Sequence, residues 1–364
     1  MDLKQIRLEI DQIDQEMAHL FEKRMDLSKQ VGEYKMKYGL PINDKVREEK
    51  VIEKNLKLIS NEDIKGYYVD YLHSVMDISK RYQTYLTKGM KIAYCGVEGA
   101  FSYIASKKLF ENGQLISYPN FTSAYKAVET CECDACVLPL ENSTAGDVGS
   151  VMDLLFSGSL FINDIVNIDI VHNLIANHDT KKEDIKTVVS HPQALAQCQK
   201  YIEANHYAKS ECSNTAIAAK ELSLNLDPSK AVIASKDVAS LYNLKILEND
   251  INESRNNSTR FAVFTKSLNS QNRGVKMGEH FILVFTVLNE AGALAKTLNI
   301  IGAHGFNMRT LRSRPLKELQ WNYYFFVELD GDINSNDGKD MINELKGVCD
   351  CLKVVGCYYS HIER

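Results

Sequence analysis

The sequence predicts a multidomain chain that contains an all-α module, a two-lobed α/β domain and a C-terminal α+β domain. Apolar residues recur with a helical period through the first ninety residues, and no proline occurs before Pro41. Short apolar strands then alternate with helices as far as about residue 266. After a polar linker the predicted order is βαββαβ, which is ferredoxin-like. A length of 364 residues agrees with two or three domains.

Composition and charge argue against several classes of protein. The net charge is −5 and no basic stripe occurs, so we expect no nucleic-acid partner. The charged start lacks the apolar core of a signal peptide, and the longest apolar run, Phe281 to Leu288, is too short to cross a bilayer. Nine cysteines, an odd number, fit a reducing cytoplasm. The cluster Cys131 to Cys136 lacks a second Cys/His pair, so we expect no metal and no cofactor.

The first module is predicted to consist of three helices. Apolar residues from Leu3 to Val31 follow the helical period, and Gly39-Leu40-Pro41 ends this first helix. A second helix is predicted over about residues 44–59. A third begins near Asn61, a plausible N-cap, and runs to about Thr87.

Polar side chains interrupt the apolar stripes of these helices. Arg24 and Lys35 are eleven residues apart, so they lie within roughly 20° of each other around the helix and about 16 Å apart along it. Such a pair can bind a small anion. Arg7 lies about 42 Å from Lys35 along the same helix, so it cannot reach the same small ligand. If Arg7 binds ligand, it serves the pocket of a partner subunit, which predicts a two-fold dimer.

These positions make the module resemble the all-helical chorismate mutases. The rearrangement of chorismate to prephenate needs no nucleophile, only a compact conformer and donors aimed at the ether oxygen. The resemblance implies that Arg7 and Arg24 bind carboxylates, and that Lys35 and Gln83 donate to the ether oxygen or a nearby carboxylate. It also implies that Glu48 accepts the ring hydroxyl. The remaining matched positions complete the wall: Asp44, Arg47 and Ser79.

In the central part, polar loops recur where apolar strands end. They occur at residues 96–102, 141–146, 190–193, 213–216 and 257–260. Polar loops at strand ends are typical of two α/β lobes that face a cleft, and the chain is expected to cross between lobes near residue 172 and to return near 246. His191, which precedes Pro192, is either a general base or a structural hydrogen-bonding group at a helix start.

These loops resemble prephenate dehydratase over residues 91–266, which implies a two-lobed fold similar to that of periplasmic binding proteins. The matching pieces are Gly96-x-x-Gly99-x-x-Ser102, Pro139-Leu140-Glu141-Asn142-Ser143, Ser190-His191-Pro192-Gln193 and Thr259-Arg260-Phe261. The reaction expels carbon dioxide and hydroxide from prephenate and leaves phenylpyruvate. The resemblance implies that the threonine of the last piece carries the activity.

A threonine hydroxyl is too weak an acid to act as a strong general acid. We therefore expect Thr259 to donate a hydrogen bond, or relay a proton, to the leaving hydroxyl. Phe261 would contribute an apolar wall that leaves the ring carboxylate poorly solvated. Arg260 either binds a carboxylate or braces its loop. The other expected substrate-binding residues are Glu141, Asn142, Ser143, His191, Ser213 and Thr215.

The C-terminal order resembles the ACT regulatory domain, a module that binds an amino acid between subunits. Gly292-Ala293-Leu294 and Ser313-Arg314-Pro315 match its phenylalanine-binding motifs, which implies L-phenylalanine as effector. Arg312 stands where glutamate is usual, and this reversal of charge bears on effector affinity more than on fold.

The combined prediction is a fused, cytoplasmic enzyme of phenylalanine biosynthesis, a homodimer or higher oligomer without a membrane segment. The expected domains are a mutase at 1–88, a dehydratase at 91–266 and a regulatory domain at 279–360. One alternative is a ligand sensor that has lost its chemistry. Another keeps the fold but acts on arogenate instead of prephenate.

Overall fold

The structure is a computed structural model, and it describes residues 2–38, 40–254, 256–268, 279–316 and 323–359. Parts of three predictions lie outside these residues. They are the helix break at Gly39, most of the polar linker, which the sequence predicts over 267–278, and the start of a C-terminal strand, which the sequence predicts near Trp321–Leu329. The chain folds as two compact units. The first is 1–90 with 112–114, and the second is 91–111 with 115–364.

The first unit is helical, as predicted. Its helices are α1 (Leu3–Lys37), α2 (Lys45–Leu56) and α3 (Lys65–Lys88), with a 3-10 turn (Glu62–Ile64) before α3. Asp2 and Asp44 cap the first two helices, because their carboxylates accept backbone N–H groups that have no intrahelical partner. Asn61 caps the short 3-10 turn and not the α-helix that was expected to begin there.

Helices α1 and α3 approach each other closely at Gly32. A Cβ atom at this position would lie 3.2 Å from Cγ of Gln83, so glycine permits the close approach. Most of the apolar stripe of α1 is exposed in the single chain, including Ile10 and Leu20. An apolar stripe of this length on a soluble helix is typical of an interface.

The second unit begins with a lobe built on a mixed sheet, continues into a smaller lobe and returns to the first. The first-lobe elements are β1 (Lys91–Cys95), α4 (Phe101–Leu109), β2 (Gln114–Tyr118), α5 (Phe121–Glu129), β3 (Ala135–Asn142), β4 (Gly146–Asp147), α6 (Gly149–Ser157) and β5 (Phe161–Asp169). After the second lobe, β11 (Ser258–Thr265) completes this group.

The second lobe lies between β5 and β11 in the sequence. Its elements are β6 (Asn173–Ala176), a 3-10 turn (Lys182–Asp184), β7 (Thr187–Ser190), α7 (Pro192–Gln197), α8 (Gln199–Ala204), β8 (Ala208–Glu211), α9 (Thr215–Leu224), β9 (Lys230–Ala234), α10 (Lys236–Leu241) and β10 (Lys245–Glu248). The strands form a sheet in the order β10-β6-β9-β7-β8. The chain crosses between lobes at residues 170–172, as predicted. It returns after residue 248, because the strand near 246 still pairs with β6.

The C-terminal part has the predicted order βαββαβ. Its elements are β12 (Glu279–Thr286), α11 (Ala293–Ala303), β13 (Met308–Pro315), β14 (Tyr323–Asp330), α12 (Asn336–Leu345) and β15 (Cys351–Tyr359). Its strands continue the first-lobe sheet, in the order β13-β14-β12-β15-β5-β11-β3-β1-β2. At the junction Gly356 pairs with Ile162, and a Cβ atom at Gly356 would lie 2.7 Å from Cβ of Ile162.

Two observations bear on whether the chain spans a membrane or holds a metal ion. Within the described ranges, no helix is both long and apolar enough to serve as a membrane span. In the same residues, no group of three or more His, Cys, Asp or Glu side chains is arranged to hold a metal ion.

Candidate functional site

The first unit brings polar side chains together between α1 and α3. Nη1 of Arg24 donates to the Val75 carbonyl at 3.2 Å and to Oγ of Ser79. Gln83 lies one helical turn beyond Ser79 and is buried, and its Oε1 has no hydrogen-bond partner among the described residues. Burial lowers the pKa of the Arg24 guanidinium. A partly buried cation one helical turn from an unsatisfied amide oxygen is suited to a small polar ligand.

Lys35 and Glu48, two further predicted mutase residues, make other contacts. Nζ of Lys35 donates to the Ile42 carbonyl at 2.7 Å, which holds the chain where it turns from α1 towards α2. Glu48 pairs with Lys80, whose Nζ lies 3.2 Å from the carboxylate. Sequence reasoning missed Lys80, because no local pattern relates residues that far apart. Arg7 is exposed near the far end of α1.

The second unit contains a cleft of about 410 Å³ between its two lobes. Six of the predicted dehydratase residues line it: Asn142, His191, Ser213, Thr215, Thr259 and Phe261. Apolar side chains form much of the remaining wall, including Phe101, Phe121 and Ile170. None of the described residues that line this cleft is a lysine or an arginine. Apart from the carboxylate of Asp147, polar side chains and helix ends supply the electrostatics of this lining.

Strand pairing decides which residues face the cleft. Thr259 lies opposite Asn142 across β11 and β3, and a register shift then sets Phe261 opposite Pro139. All four line the cleft. Side chains alternate between the faces of a strand, so the intervening Arg260 points to the other face.

A fixed chain of hydrogen bonds leads to Thr259. Oδ1 of Asn142 accepts the backbone N–H groups of Thr144 at 3.0 Å and Ala145 at 2.8 Å, which fixes the orientation of the amide. Nδ2 of Asn142 must then face the other way, where it donates to Oγ1 of Thr259 at 2.9 Å and to Oδ1 of Asn257 at 2.8 Å. Because an amide NH₂ cannot accept, the Thr259 proton remains available to a ligand.

Three predicted substrate-binding residues do not line the cleft. Glu141 and Arg260 are cross-strand partners on the opposite face of the sheet, where Nη1 of Arg260 lies 2.6 Å from Oε1 of Glu141. Ser143 holds the loop instead, because its Oγ donates to the Asn256 carbonyl at 2.8 Å and accepts from the Ser258 N–H at 3.0 Å. The structure thus favours bracing for Arg260 over carboxylate binding, and places Glu141 and Ser143 outside the cleft.

Arg260 joins the dehydratase strands to the C-terminal strands. Its guanidinium makes two bonds to Glu328, at 2.9 and 3.0 Å, and one to the Tyr358 hydroxyl at 2.7 Å. Glu328 is only 1% exposed. Burial acts to lower the pKa of Arg260, but Glu328 outweighs it, and the pKa is raised above its ordinary value.

Arg312 also crosses to the dehydratase strands, pairing with Glu141 and with Asp147. Burial acts to raise the pKa of Glu141, but bonds from Arg312 and Arg260 hold it below its usual range. Asp147 lines the cleft, so Arg312 neutralises a carboxylate at its edge.

His191 makes the structural hydrogen bond that was one of the two alternatives offered by the sequence. Its Nδ1 accepts the N–H of Gln193 at 3.2 Å and so caps α7, while its side chain lines the cleft. Two further residues, His172 and Gln197, line the cleft and were missed. The position of His172, at the predicted crossing between lobes, was the signal that could have identified it.

The predicted effector residues are separated within one chain. Gly292 and Ala293 line a pocket of about 420 Å³ at the start of α11, together with Lys296. Leu294 packs partly against the C-terminal core. The Ser313-Arg314-Pro315 segment lies on β13 and does not line this pocket, and Arg314 instead pairs with Asp153 of α6 at 3.1 Å.

Comparisons with known families match both parts of the chain. The model of prephenate dehydratase matches residues 92–269, and the model of chorismate mutase type II matches residues 6–84. Together with the polar helical contact and the two-lobed cleft, these matches define a fused enzyme with an isomerase module ahead of a lyase domain.

Relatives are similar over the whole length. A bifunctional chorismate mutase/prephenate dehydratase of Aquifex aeolicus is 32% identical, with 98% of each chain covered. The chain belongs to the family of bifunctional chorismate mutase/prephenate dehydratases, and it is an enzyme with both activities. Prephenate dehydratase from Arthrobacter aurescens, solved in complex with L-Phe, superposes with a TM-score of 0.67 at 25% identity, covering 74% of this chain and 90% of that one. GqqA, described as a quorum-quenching acylase, is similar with a TM-score of 0.68 at 25% identity, covering 74% of this chain and 98% of that one.

Proposed function

We propose that residues 1–88 rearrange chorismate to prephenate, that the cleft within 91–266 converts prephenate to phenylpyruvate, and that 279–360 form a regulatory domain that binds L-phenylalanine. The observation that carries the dehydratase assignment is the amide of Asn142, whose orientation is fixed and which donates to the Thr259 hydroxyl inside the cleft. The nine cysteines are all free, which supports a reducing, cytoplasmic location.

In the mutase module, Arg24 supplies a partly buried cation next to Ser79, and Gln83 supplies an amide with one unsatisfied oxygen. These groups suit a dicarboxylate that must be held in a compact conformer. Lys35 donates to the developing charge on the ether oxygen or to a nearby carboxylate. Glu48 accepts the ring hydroxyl, and its pairing with Lys80 holds the carboxylate in position for that role.

The remaining mutase residue, Arg7, is about 42 Å along α1 from Lys35 and serves a second subunit. The exposed apolar stripe of α1 supports this homodimer, because pairing two copies would remove it from water. Asp44 caps α2 by accepting the N–H of Arg47, and we assign both side chains to the wall of the mutase pocket.

In the dehydratase cleft, the C–C bond to the ring carboxylate breaks as carbon dioxide leaves, and its electron pair moves into the ring. The C–O bond to the hydroxyl breaks as this electron pair completes the aromatic ring, and the departing hydroxide takes a proton from solvent, directly or relayed through Thr259, to become water. Thr259 donates its hydroxyl proton in a hydrogen bond to this oxygen as negative charge gathers there. Asn142 keeps that proton directed at the substrate, because its NH₂ occupies a lone pair on Oγ1.

The apolar lining of the cleft favours departure of the ring carboxylate. Phe261 and Phe101 line the cleft, and the described lining contains no lysine or arginine to stabilise that carboxylate. A poorly solvated carboxylate loses less stabilisation when it leaves as neutral carbon dioxide. Ser213, Thr215 and His191 lie near the starts of helices and bind the other end of the substrate.

The regulatory assignment draws on the pocket at Gly292 and Ala293, where the start of α11 suits the carboxylate of an amino acid. The Arthrobacter aurescens enzyme has L-Phe bound. Because Ser313, Arg314 and Pro315 lie away from this pocket in one chain, a complete effector site would combine segments from two subunits.

The test is product formation from chorismate by the purified chain, with and without L-phenylalanine. Thr259→Ala should accumulate prephenate, and Lys35→Ala should leave chorismate unconverted while still converting added prephenate. Each variant therefore serves as the folding control for the other. L-Phenylalanine should lower the rate of the dehydratase step.

Other outcomes would point to the alternatives. A chain that binds prephenate without turnover is a sensor. A higher kcat/KM with arogenate than with prephenate would reassign the substrate. If Thr259→Ala converts prephenate as fast as the unaltered chain, the Thr259 hydroxyl does not have the role proposed for it.

A further inference from the structure

His172 is a cleft residue that the chemistry above does not use. It lies in the crossing segment between β5 and β6 and is 2% exposed. Its backbone is held on both sides, because its N–H donates to Oδ1 of Asn252 at 2.9 Å and its carbonyl accepts from Ile251 at 2.9 Å. The ring meets Phe101 edge-on at 6.1 Å. The fold therefore fixes the position of this imidazole.

Within the described part of the chain, the imidazole makes one hydrogen bond. Nε2 of His172 lies 2.9 Å from Oε1 of Gln197, while Nδ1 is buried without a partner among the described residues. An unpaired buried N–H costs more than an unpaired lone pair, so the proton belongs on Nε2. Burial lowers the pKa of His172 more than Gln197 raises it, which keeps the ring neutral.

This bond has a consequence for Gln197, which lies at the end of α7 and lines the same cleft. Its backbone carbonyl accepts the N–H of Glu253 at 2.9 Å, so the residue is anchored. A donor on Oε1 forces the NH₂ group of the same amide to face away from the histidine. An amide held in one orientation is a better donor to a ligand than one free to turn.

We propose that His172 is a positioning residue for the dehydratase reaction. Its Nε2–H holds the side-chain oxygen of Gln197, so that the NH₂ group of Gln197 is presented to the substrate in the cleft. This inference rests on the proposed function of the cleft. It adds an oriented donor contributed by the second lobe, facing the Thr259 hydroxyl contributed by the first.

The experiment compares four variants of the full chain with prephenate as the supplied substrate: His172→Leu, His172→Gln, Gln197→Leu and the double variant His172→Leu/Gln197→Leu. His172→Leu should lower kcat/KM about tenfold or more, because one oriented hydrogen bond to the substrate contributes a factor of about that size. His172→Gln, whose amide N–H reaches a similar position, should recover most of this loss. The double variant should be no worse than Gln197→Leu, because His172 acts through Gln197.

Controls separate positioning from a structural role. His178→Leu, at an exposed histidine in the same lobe, should leave the dehydratase unchanged, and mutase activity of every variant should stay constant. Losses that multiply in the double variant would overturn the proposal. So would full activity in His172→Leu, or a His172→Gln variant as impaired as His172→Leu at an unchanged melting temperature. Losses that merely follow a lowered melting temperature would show a structural role instead. If the unaltered chain does not turn over prephenate, the proposed function has failed, and not this inference.

Discussion

Replacement of Arg260 by methionine tests the ion-pair network that joins the dehydratase strands to the C-terminal strands. Arg260 bonds both Glu141 and the buried Glu328. Removing one partner of a buried pair leaves an uncompensated charge and costs about 3–5 kcal/mol of stability. Arg309, 3.7 Å from Glu328, offsets part of this cost. Glu328→Gln leaves Arg260 with Glu141, so its cost should be smaller, about 1–3 kcal/mol.

The measurement is the temperature at which heated samples lose dehydratase activity, with mutase activity in the same samples as an internal reference. For a unit of this size, each kcal/mol shifts the midpoint by about 2–4 °C. Arg260→Met should therefore lower the dehydratase midpoint by about 6–20 °C and leave the mutase midpoint in place. Lys220→Met, which removes an exposed cation from α9, should shift it by less than about 2 °C.

The double variant Arg260→Met/Glu328→Gln gives the sharpest check. Arg260→Met leaves the Glu328 carboxylate buried without its main partner, and Glu328→Gln removes that charge. The double variant should therefore be more stable than the sum of the single effects predicts. Strict additivity, or an Arg260→Met variant no less stable than Glu328→Gln, would refute the reasoning.

Three further predictions follow from the structure. Asn142→Asp places a carboxylate oxygen against Thr259, whose hydroxyl then donates to it and not to substrate, so kcat of the dehydratase should fall about 10²-fold with mutase activity intact. A retained kcat would contradict the hydrogen-bond chain. The pKa of Glu141 is depressed in the fold, so its contribution to stability is present above about pH 4.3 and is lost as pH falls through the folded-state value. Glu141→Gln should therefore flatten the decline in melting temperature between pH 5 and 3, and an unchanged decline would exclude this carboxylate as its source. Gly158→Ala forces a methyl group against the buried Tyr125 hydroxyl and should cost about 1–3 kcal/mol, measured by the same heat-inactivation assay. If Gly158→Ala is as stable as the unaltered chain, the surroundings of Tyr125 have accommodated the methyl group without cost.

Much of the architecture could be read from the sequence, because the signals are local. The long proline-free run of α1 and the βαββαβ order both appeared within a few residues of their predicted bounds. The strand-end loops that carry Asn142, His191 and Thr259 were also found this way, since polar residues after an apolar run mark the end of a strand. The cleft they line was expected from the same pattern.

The direction of each side chain depends on strand pairing, which the sequence alone does not show. Glu141 and Arg260 flank Asn142 and Thr259 in sequence, yet strand alternation and one register shift send them to the opposite face. Their partners Glu328 and Arg312 belong to C-terminal strands. No local pattern in the sequence predicts that these strands continue the first-lobe sheet.

The sequence by itself thus determined the order of elements, the polar loops and the residue types available for chemistry. Only the tertiary structure decided which of those residues share a cleft, which brace the sheet, and that His172 orients Gln197. The physical reason is that helical and strand periods are local properties of the chain. A buried ion pair or an oriented amide exists only when segments distant in sequence are packed together.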